Sequence, residues 1–194
     1  MAAPYLPFDG MNEYGLTVGI MAVPYAGDGE DPNKVTIGGL QAVRLMLDYA
    51  RDVDQAISLL EDYNIDFEPG PPLHYLISDS SGNSAVIEFI DGEISVIRNS
   101  EQWQVATNFV ISHSRLQDRA FYCWRYKKAY HSLEQAEGNI SENEAMALLE
   151  DVSQSGRVHT IWSAVYDMTT GHIQVVMGRE YGKAHEFTLE MERE

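Results

Sequence analysis

The segment between His74 and Arg98 constrains the fold more than any other part of this sequence. Three runs with β-strand patterning, HYLISD, SAVIEFI and EISVIR, follow one another and are separated only by SSGN and DG. Such short connectors, rich in Gly, Asn and Asp, are typical of hairpin turns, so we predict three consecutive antiparallel strands. A meander of this kind must bury its apolar face against a second layer, which the rest of the chain has to supply.

Helical patterns stand on both sides of this meander. Residues 37–47 and 53–60 carry apolar side chains at helical spacing, and Asp52 is a candidate N-cap for the second of these helices. A further helix is predicted over Arg115–Leu133. Ser141 and Glu144 form a capping box that predicts the start of another helix.

More strands are predicted outside the meander. Gly15–Val23 is predicted to be a near-continuous apolar strand buried on both faces, and WQVAT a short strand that ends at Asn108. TIWSAVYD, HIQVVMG and HEFTLE predict three strands near the end of the chain. Helices grouped between runs of meandering strands indicate stacked layers in an α+β fold, as one domain over residues 1–194, and not a doubly wound parallel sheet.

The charge of the chain excludes several classes of partner. Its 194 residues carry a formal net charge of -17, and 44% of them are hydrophobic, which is enough for a core. Phosphate backbones and anionic membrane surfaces would be repelled, so we expect neither nucleic acid nor membrane as a partner. We expect a cytoplasmic location, because the sequence shows neither a basic leader with an apolar segment nor an apolar stretch near ~18 residues.

The common motifs of cofactor and metal chemistry are missing from the sequence. It contains no P-loop, no G-x-G-x-x-G, no H-E-x-x-H and no G-x-S-x-G, and its six histidines lack metal-ligand spacing. We therefore predict no cofactor and no metal. Cys123, the one cysteine, is predicted to lie in the middle of a helix as a core thiol, without the helix N-terminus or neighbouring base that activates a nucleophile.

Two polar residues in apolar surroundings are candidates for a functional site. Asn108 is either a fixed amide donor at a strand end, as an oxyanion hole needs, or simply a turn former. Arg125, in the aromatic-rich segment FYCWRYKKAY, either extends its charge to solvent or pairs with a buried carboxylate.

Five segments in one order resemble a known family. They are DGMNEYGLTVGIMAVP, LHYLISDSSGNSAVIEF, VATNF, CWRYKKAY and HTIWSAVYDMTTGHIQVVMGREY. Together they resemble the linear-amide C–N hydrolases of the N-terminal-nucleophile superfamily: choloylglycine hydrolases, penicillin V acylases and acyl-CoA:6-aminopenicillanate acyltransferases, the last above all. The resemblance implies a four-layer αββα sandwich, a small acyl amide as substrate, and an N-terminal cysteine that forms an acyl-enzyme with its own α-amine as base.

The resemblance also implies roles for particular residues. Asn108 follows the family's T-N strand end, so its side-chain amide would donate to the oxyanion, and the main-chain N–H of Ala22 would be the second donor. The family arginine falls on Arg125, with Arg119 as the competing alignment. Asn12 is expected to be structural. The resemblance gives no substrate-binding residues.

The sequence departs from the family at its start, because only MAAPYLPF precedes the first matching segment and no cysteine lies there. We therefore expect the fold to be incomplete at its N-terminus and these residues alone to be inactive. The alternatives are a non-catalytic acyl-binding or regulatory module, or a degraded gene product without function. Sheet edges left exposed would also allow a homo-oligomer.

Overall fold

The structure is a computed structural model that describes residues 5–27, 31–115 and 118–192. Within those residues lie ten strands and five helices. The strands are β1 Asp9–Met11, β2 Thr17–Ala22, β3 Val35–Gly38, β4 Tyr63–Asp66, β5 Leu73–Ser78, β6 Ser84–Ile90, β7 Glu93–Arg98, β8 Trp162–Tyr166, β9 His172–Met177 and β10 Ala184–Thr188. The helices are α1 Gly39–Tyr49, α2 Val53–Glu61, α3 Arg119–Tyr122, α4 Trp124–Gln135 and α5 Glu142–Asp151.

A five-stranded antiparallel sheet forms the centre, in the order β1-β2-β5-β6-β7. The predicted meander is confirmed as β5, β6 and β7, whose register places Tyr75 opposite Ile87 and Ile87 opposite Val96. Strand β6 is buried along its whole length. In β2, by contrast, Val18 is buried and the other residues are half-buried, so the expectation of burial on both faces is wrong.

One face of this sheet packs against α1 and α2. Their fully buried side chains, among them Met46 and Leu60, lie in one core cluster with Tyr75 and Ile87. The cap of α2 is confirmed, because the Asp52 side chain accepts a hydrogen bond from Gln55 N at 2.8 Å. Helix α1 begins at Gly39, so Ile37 belongs to β3, which pairs in parallel with β4.

The opposite face is covered by the irregular segment 103–112 and by α4. Val86 of β6 packs there against Phe109, Ile111 and Tyr126. The predicted strand WQVAT is wrong, because these described residues form no strand. Instead of a main-chain ladder, the Gln104 side chain donates from Nε2 to Ile97 O at 2.8 Å.

The predicted helix over residues 115–133 is also wrong in part. Cys123 has extended backbone angles, φ -151° and ψ 121°, and separates α3 from α4. Side-chain packing fits this break, because Tyr122 stacks on Phe109 at 5.4 Å while Tyr126 meets the same ring edge-on at 5.2 Å. Arg125 accordingly lies in the first turn of α4 and not in mid-helix.

A second sheet, β10-β9-β8, confirms the three strands predicted near the end of the chain. The capping box of α5 is confirmed too, with the Ser141 side chain accepting from Glu144 N and the Glu144 side chain accepting from Ser141 N. The two sheets and their helices form the predicted α+β fold. In the described part of the chain, no helix combines the length and hydropathy needed to cross a bilayer.

Candidate active site

The site is built at the end of β2, where Ala22 lies on an open sheet edge. Val23 N donates to Pro72 O at 2.9 Å, so the preceding pair, Ala22 and Leu73, is a non-hydrogen-bonded pair. The main-chain N–H and C=O of Ala22 therefore point away from β5. On that side β1 pairs with residues 17–19, so among the described residues no strand is paired with Ala22 there.

Asn108 spans the space between this edge and α4. Its Nδ2 donates to Ala22 O at 2.8 Å, and Arg125 Nη2 donates to Asn108 Oδ1 at 2.7 Å. A guanidinium has donors only, so Arg125 requires the oxygen of the amide on its side and turns the nitrogen toward Ala22. The two contacts thus fix the orientation of the amide. The Asn108 side chain remains exposed.

Hydrogen bonds to a buried carboxylate fix the main chain of the segment that carries Asn108. Glu88 is 1% exposed, and its two oxygens accept hydrogen bonds from Ile111 N at 2.6 Å and Ser112 N at 2.9 Å. The Nδ1 atom of the fully buried His74 lies 3.1 Å from the same carboxylate. Burial alone would raise the pKa of Glu88, but the hydrogen bonds from His74, Ser112 and the Ile111 N–H outweigh it and lower the pKa to about 2.

The two candidate arginines have different partners. The sequence leaves Arg125 either extended to solvent or paired with a buried carboxylate, and its partner is instead the Asn108 side chain. Arg119 donates to Ser114 Oγ at 3.2 Å and to Ile111 O at 3.4 Å. Both arginines are half-buried, so their contacts distinguish them better than their exposure does.

Cys123 lies beside this cluster, and the prediction of a mid-helix core thiol is wrong. It is the N-cap residue of α4, half-buried, and Lys127 N donates to its carbonyl at 3.1 Å. Burial raises the pKa of the thiol. The N–H of Tyr126, the hydroxyl of Thr107 and the charge and N–H of Arg125 together lower it by more, so the pKa lies below its ordinary value.

Two of the concave surfaces among the described residues lie along α4 and beside the start of α1. A groove of about 510 Å³ follows α4 from Trp124 to Ser132, and a cavity of about 400 Å³ lies between the start of α1 and residues 66–73. Side chains from Leu6, Phe8, Ile20 and Phe67 give the second cavity an apolar lining. Among the described residues, no group of three or more His, Cys, Asp or Glu side chains is arranged to hold a metal ion.

Sequence reasoning named Asn108, Ala22 and Arg125 but missed Glu88 and Thr107. A signal for Glu88 was available, because a carboxylate inside the apolar run SAVIEFI is costly unless it is paired. Nothing in the sequence singled out Thr107, whose hydroxyl acts to lower the pKa of the Cys123 thiol.

Comparisons with known proteins agree with this architecture. Residues 7–181 match the family model described as acyl-coenzyme A:6-aminopenicillanic acid acyl-transferase. A penicillin V acylase of Pectobacterium atrosepticum is 32% identical over 114 residues, 52% of this chain and 29% of that protein. An uncharacterised protein of Paramecium bursaria Chlorella virus 1 is 31% identical over 100 residues, 47% of this chain and 36% of that protein. The matches thus span about a third of the length of these two relatives.

Solved structures show the same fold. A variant of conjugated bile acid hydrolase from Clostridium perfringens superposes with a TM-score of 0.71 at 16% identity, over 96% of this chain and 73% of that one. Penicillin V acylase from Agrobacterium tumefaciens superposes with a TM-score of 0.69 at 23% identity, over 88% of this chain and 62% of that one. The fold is that of the N-terminal-nucleophile hydrolases. Since the matching family model covers most of its residues, this chain belongs to the acyl-coenzyme A:6-aminopenicillanic acid acyl-transferase family.

Proposed function

We propose that this chain carries the oxyanion-stabilising part of an enzyme that breaks a linear amide C–N bond and passes the acyl group to water or to an amine. The observation that carries this proposal is the fixed Asn108 amide, which Arg125 holds by its oxygen against the open edge at Ala22. Membership of the acyltransferase family supports the reaction class. The names of two similar proteins, a penicillin V acylase and a conjugated bile acid hydrolase, support a small acyl amide as substrate.

The proposed donors are the second N–H of the Asn108 amide and the main-chain N–H of Ala22. An amide nitrogen carries two hydrogens, and Ala22 O uses one of them. When a nucleophile adds to the substrate carbonyl, negative charge develops on its oxygen, and donors already in place stabilise that charge without reorganisation. Arg125 is a positioning residue in this scheme, because it acts through the Asn108 oxygen.

The nucleophile in this proposal comes from a cysteine-bearing segment outside these 194 residues. The family resemblance implies an N-terminal cysteine, whose α-amine, with a pKa of about 7.7–8.0, is suited to act as base near neutral pH. Cys123 is an internal residue, so its own main-chain nitrogen is an amide and not a free α-amine. The 194 residues alone would therefore leave the bond-breaking step unassisted and turn over no linear amide.

The donor geometry can be tested on the chain as it stands. Phenoxyacetate is the acyl product of penicillin V, and its carboxylate oxygen resembles the oxyanion. We expect titration of ¹⁵N-labelled protein with phenoxyacetate to shift the Asn108 side-chain amide and the Ala22 main-chain amide together. Saturable shifts elsewhere that leave both of these signals unchanged would contradict the assignment.

Turnover requires a second experiment. Penicillin V, a conjugated bile salt and an N-acyl amine are incubated with the chain alone, with its Cys123→Ser variant, and with the chain fused to a cysteine-bearing N-terminal segment. We expect turnover only in the fusion, and a 10²–10³-fold lower kcat there for Asn108→Ala. Turnover by the chain alone that disappears in Cys123→Ser would overturn the proposal.

A second candidate is non-catalytic binding of an acyl compound. The cavity of about 400 Å³ favours this function, because its lining is largely apolar. It also lies close to Ala22, since its lining includes Leu73, the strand partner of Ala22, and Ile20, two positions before it. Binding of an acyl compound without turnover in the fusion would select this function instead.

A further inference from the structure

We propose that His74 and Glu88 are positioning residues of the oxyanion site, because together they set the place of the Asn108 amide relative to Ala22. Their part in catalysis rests on the function proposed above, whereas the positioning itself can be tested without it. Three features carry the inference: the path of residues 108–112 across the sheet, the row of side chains under that path, and the hydrogen bonds that join the two.

The first feature is the path of residues 108–112 over the five-stranded sheet. At one end, Asn108 Nδ2 donates to Ala22 O of β2 at 2.8 Å. At the other end, the N–H groups of residues 111–112 donate to the Glu88 carboxylate of β6. Strand β5 lies between β2 and β6 in the sheet. The segment therefore crosses β5 between two anchors, and the place of Asn108 depends on both.

The second feature is a row of side chains that runs under this crossing. His74 of β5 lies opposite Met21 of β2, which directly precedes Ala22. On its other side, His74 Nδ1 lies 3.1 Å from Glu88 Oε1. Cross-strand neighbours share one face of a sheet, so Met21, His74 and Glu88 form one row across three strands. The fully buried His74 thus connects the anchor at Glu88 with the strand that supplies Ala22.

The third feature is the pattern of hydrogen bonds at the carboxylate. An ionised carboxylate only accepts, so Nδ1 of His74 carries the hydrogen of their contact. Glu88 Oε1 accepts from both His74 and Ile111 N, and the ring therefore fixes the rotation of the group that the segment binds. His74 Nε2 has no hydrogen-bond partner in the part of the chain that the structure describes. Apart from packing, the ring is thus oriented through Nδ1.

The consequence for the site follows from the precision that an oxyanion donor needs. A group misplaced by about 1 Å can lower a rate about 10²-fold, even when the change lies far from the reacting atoms. If the segment is released at Glu88, Asn108 keeps its contacts with Ala22 and Arg125 but loses the fixed main chain that carries it. We therefore expect loss of either positioning residue to disturb the donor while the fold persists.

Two substitutions at one position separate the hydrogen bond from packing. Leucine and asparagine have nearly the same size, but asparagine carries a donor close to the place of the histidine Nδ1. In His74→Leu, we expect the N–H groups of residues 111–112 to exchange with solvent about tenfold faster, relative to the amides of β6. The ¹⁵N–H signals of the Asn108 side chain should shift as well. In His74→Asn, both measurements should stay near those of the unchanged protein.

A second measurement connects positioning to the proposed function. Phenoxyacetate should bind His74→Leu roughly tenfold more weakly than the unchanged protein, and His74→Asn should recover most of the affinity. If phenoxyacetate leaves the Asn108 side-chain signal of the unchanged protein in place, the proposed function fails. The exchange rates and the signals of the unliganded variants then still decide whether His74 positions Asn108.

Asp79→Asn is the matched control for a general loss of stability. Asp79 is another buried carboxylate, which accepts from Val53 N at 3.1 Å and from Ser81 N at 3.0 Å. This variant should be less stable and exchange faster throughout. It should leave the Asn108 signals in place, and the exchange of residues 111–112 should keep its ratio to that of β6.

The inference is wrong if folded His74→Leu keeps the Asn108 signals and the exchange ratio of residues 111–112. It is also wrong for His74 if His74→Asn loses as much as His74→Leu, because the donor then has no part in the effect. If circular dichroism shows that His74→Leu does not fold, Glu88→Gln takes its place with the same expected changes. Unchanged Asn108 signals in Glu88→Gln would then refute the positioning role.

Discussion

At the scale of single residues, the Asn108 amide is the group whose chemistry depends most on its orientation. Asn108→Asp would place a carboxylate oxygen against Ala22 O and remove the donor, while keeping an acceptor for Arg125. We expect at least a tenfold loss of phenoxyacetate affinity in the ¹⁵N titration. Unfolding stability should change by less than about 1 kcal/mol, because the side chain is exposed. Unchanged affinity would show that the amide is only a turn element.

Glu88 makes the stability of the protein depend on pH in the acidic range. Its pKa in the folded state, about 2, lies below the ordinary value of 4.5, so the ionised form is stabilised by folding. The contribution is fully present above pH 4.5 and is lost as the pH falls toward 2. It is on the order of 3 kcal/mol. Urea unfolding at several pH values should show this fall.

The Glu88→Gln variant isolates that effect. An amide can turn its oxygen toward only part of the donor set, so at least one buried donor loses its partner at a cost of about 1–3 kcal/mol. We expect the variant to be less stable at pH 7 and to lose much of the acid dependence between pH 4.5 and 2. Glu93→Gln, at an exposed position of the neighbouring strand β7, is the control and should follow the unchanged protein.

At the scale of elements, the sequence predicts those whose signals are local. The hairpins of β5, β6 and β7 depend on turns of a few residues, and the caps at Asp52 and Ser141 depend on contacts three residues away. The candidate site was named through motif resemblance and not through geometry. The contacts that hold it, from Glu88 to Ile111 and from Asn108 to Ala22, connect positions 23 and 86 residues apart. Local patterns do not report such contacts.

The errors have the same origin. Strand β3 is short, and its parallel partner β4 lies 28 residues further on, so periodicity assigned Ile37 to a helix. The alternation in WQVAT is real, but Trp103 packs edge-on against Tyr130 while a Gln104 side chain replaces the ladder. The break at Cys123 lies within the segment that the sequence predicted to be one helix, and Tyr122 and Tyr126 on either side of it pack against Phe109.

The capping box of α5 gives a prediction at this scale. Ser141→Ala removes the acceptor for Glu144 N and the hydroxyl bonded to the Glu144 carboxylate. We expect a loss of about 1 kcal/mol in the free energy of urea unfolding. Glu150→Gln, an exposed change in the last turn of the same helix, should lower the free energy of unfolding by less than about 0.5 kcal/mol, as is usual for surface substitutions. Equal losses of unfolding free energy in both variants would mean that the capping box adds no stability beyond that of an ordinary surface residue.

At the scale of the whole molecule, the two sheets are joined through the first strands of the chain. Asp9 of β1 accepts hydrogen bonds from Trp162 Nε1 at 2.7 Å and from Tyr166 OH at 3.1 Å, both on β8. Burial, with the negative charge and hydrogen bond of Asp9, raises the pKa of Tyr166. Gly15, with a φ of 81°, lies against the turn after β8, where an added Cβ would clash with the Met168 carbonyl oxygen. Close approach of the two sheets thus depends on a residue without a side chain.

Gly15→Ala should therefore weaken the connection between the sheets. The left-handed backbone alone costs an L-residue about 1–2 kcal/mol, and the clash with a main-chain oxygen adds to that, so we expect a loss of more than about 2 kcal/mol. Trp162 of β8 donates to Asp9 of β1, so the change in tryptophan fluorescence should begin at lower urea than the change in circular dichroism of the helices. Gly19→Ala, in β2, is the matched control, because a Cβ there meets nothing within 4 Å, and its stability should stay within about 1 kcal/mol of the unchanged protein. If the fluorescence and circular-dichroism unfolding curves of Gly15→Ala coincide with each other and with those of the unchanged protein, the two sheets do not depend on their close contact at Gly15.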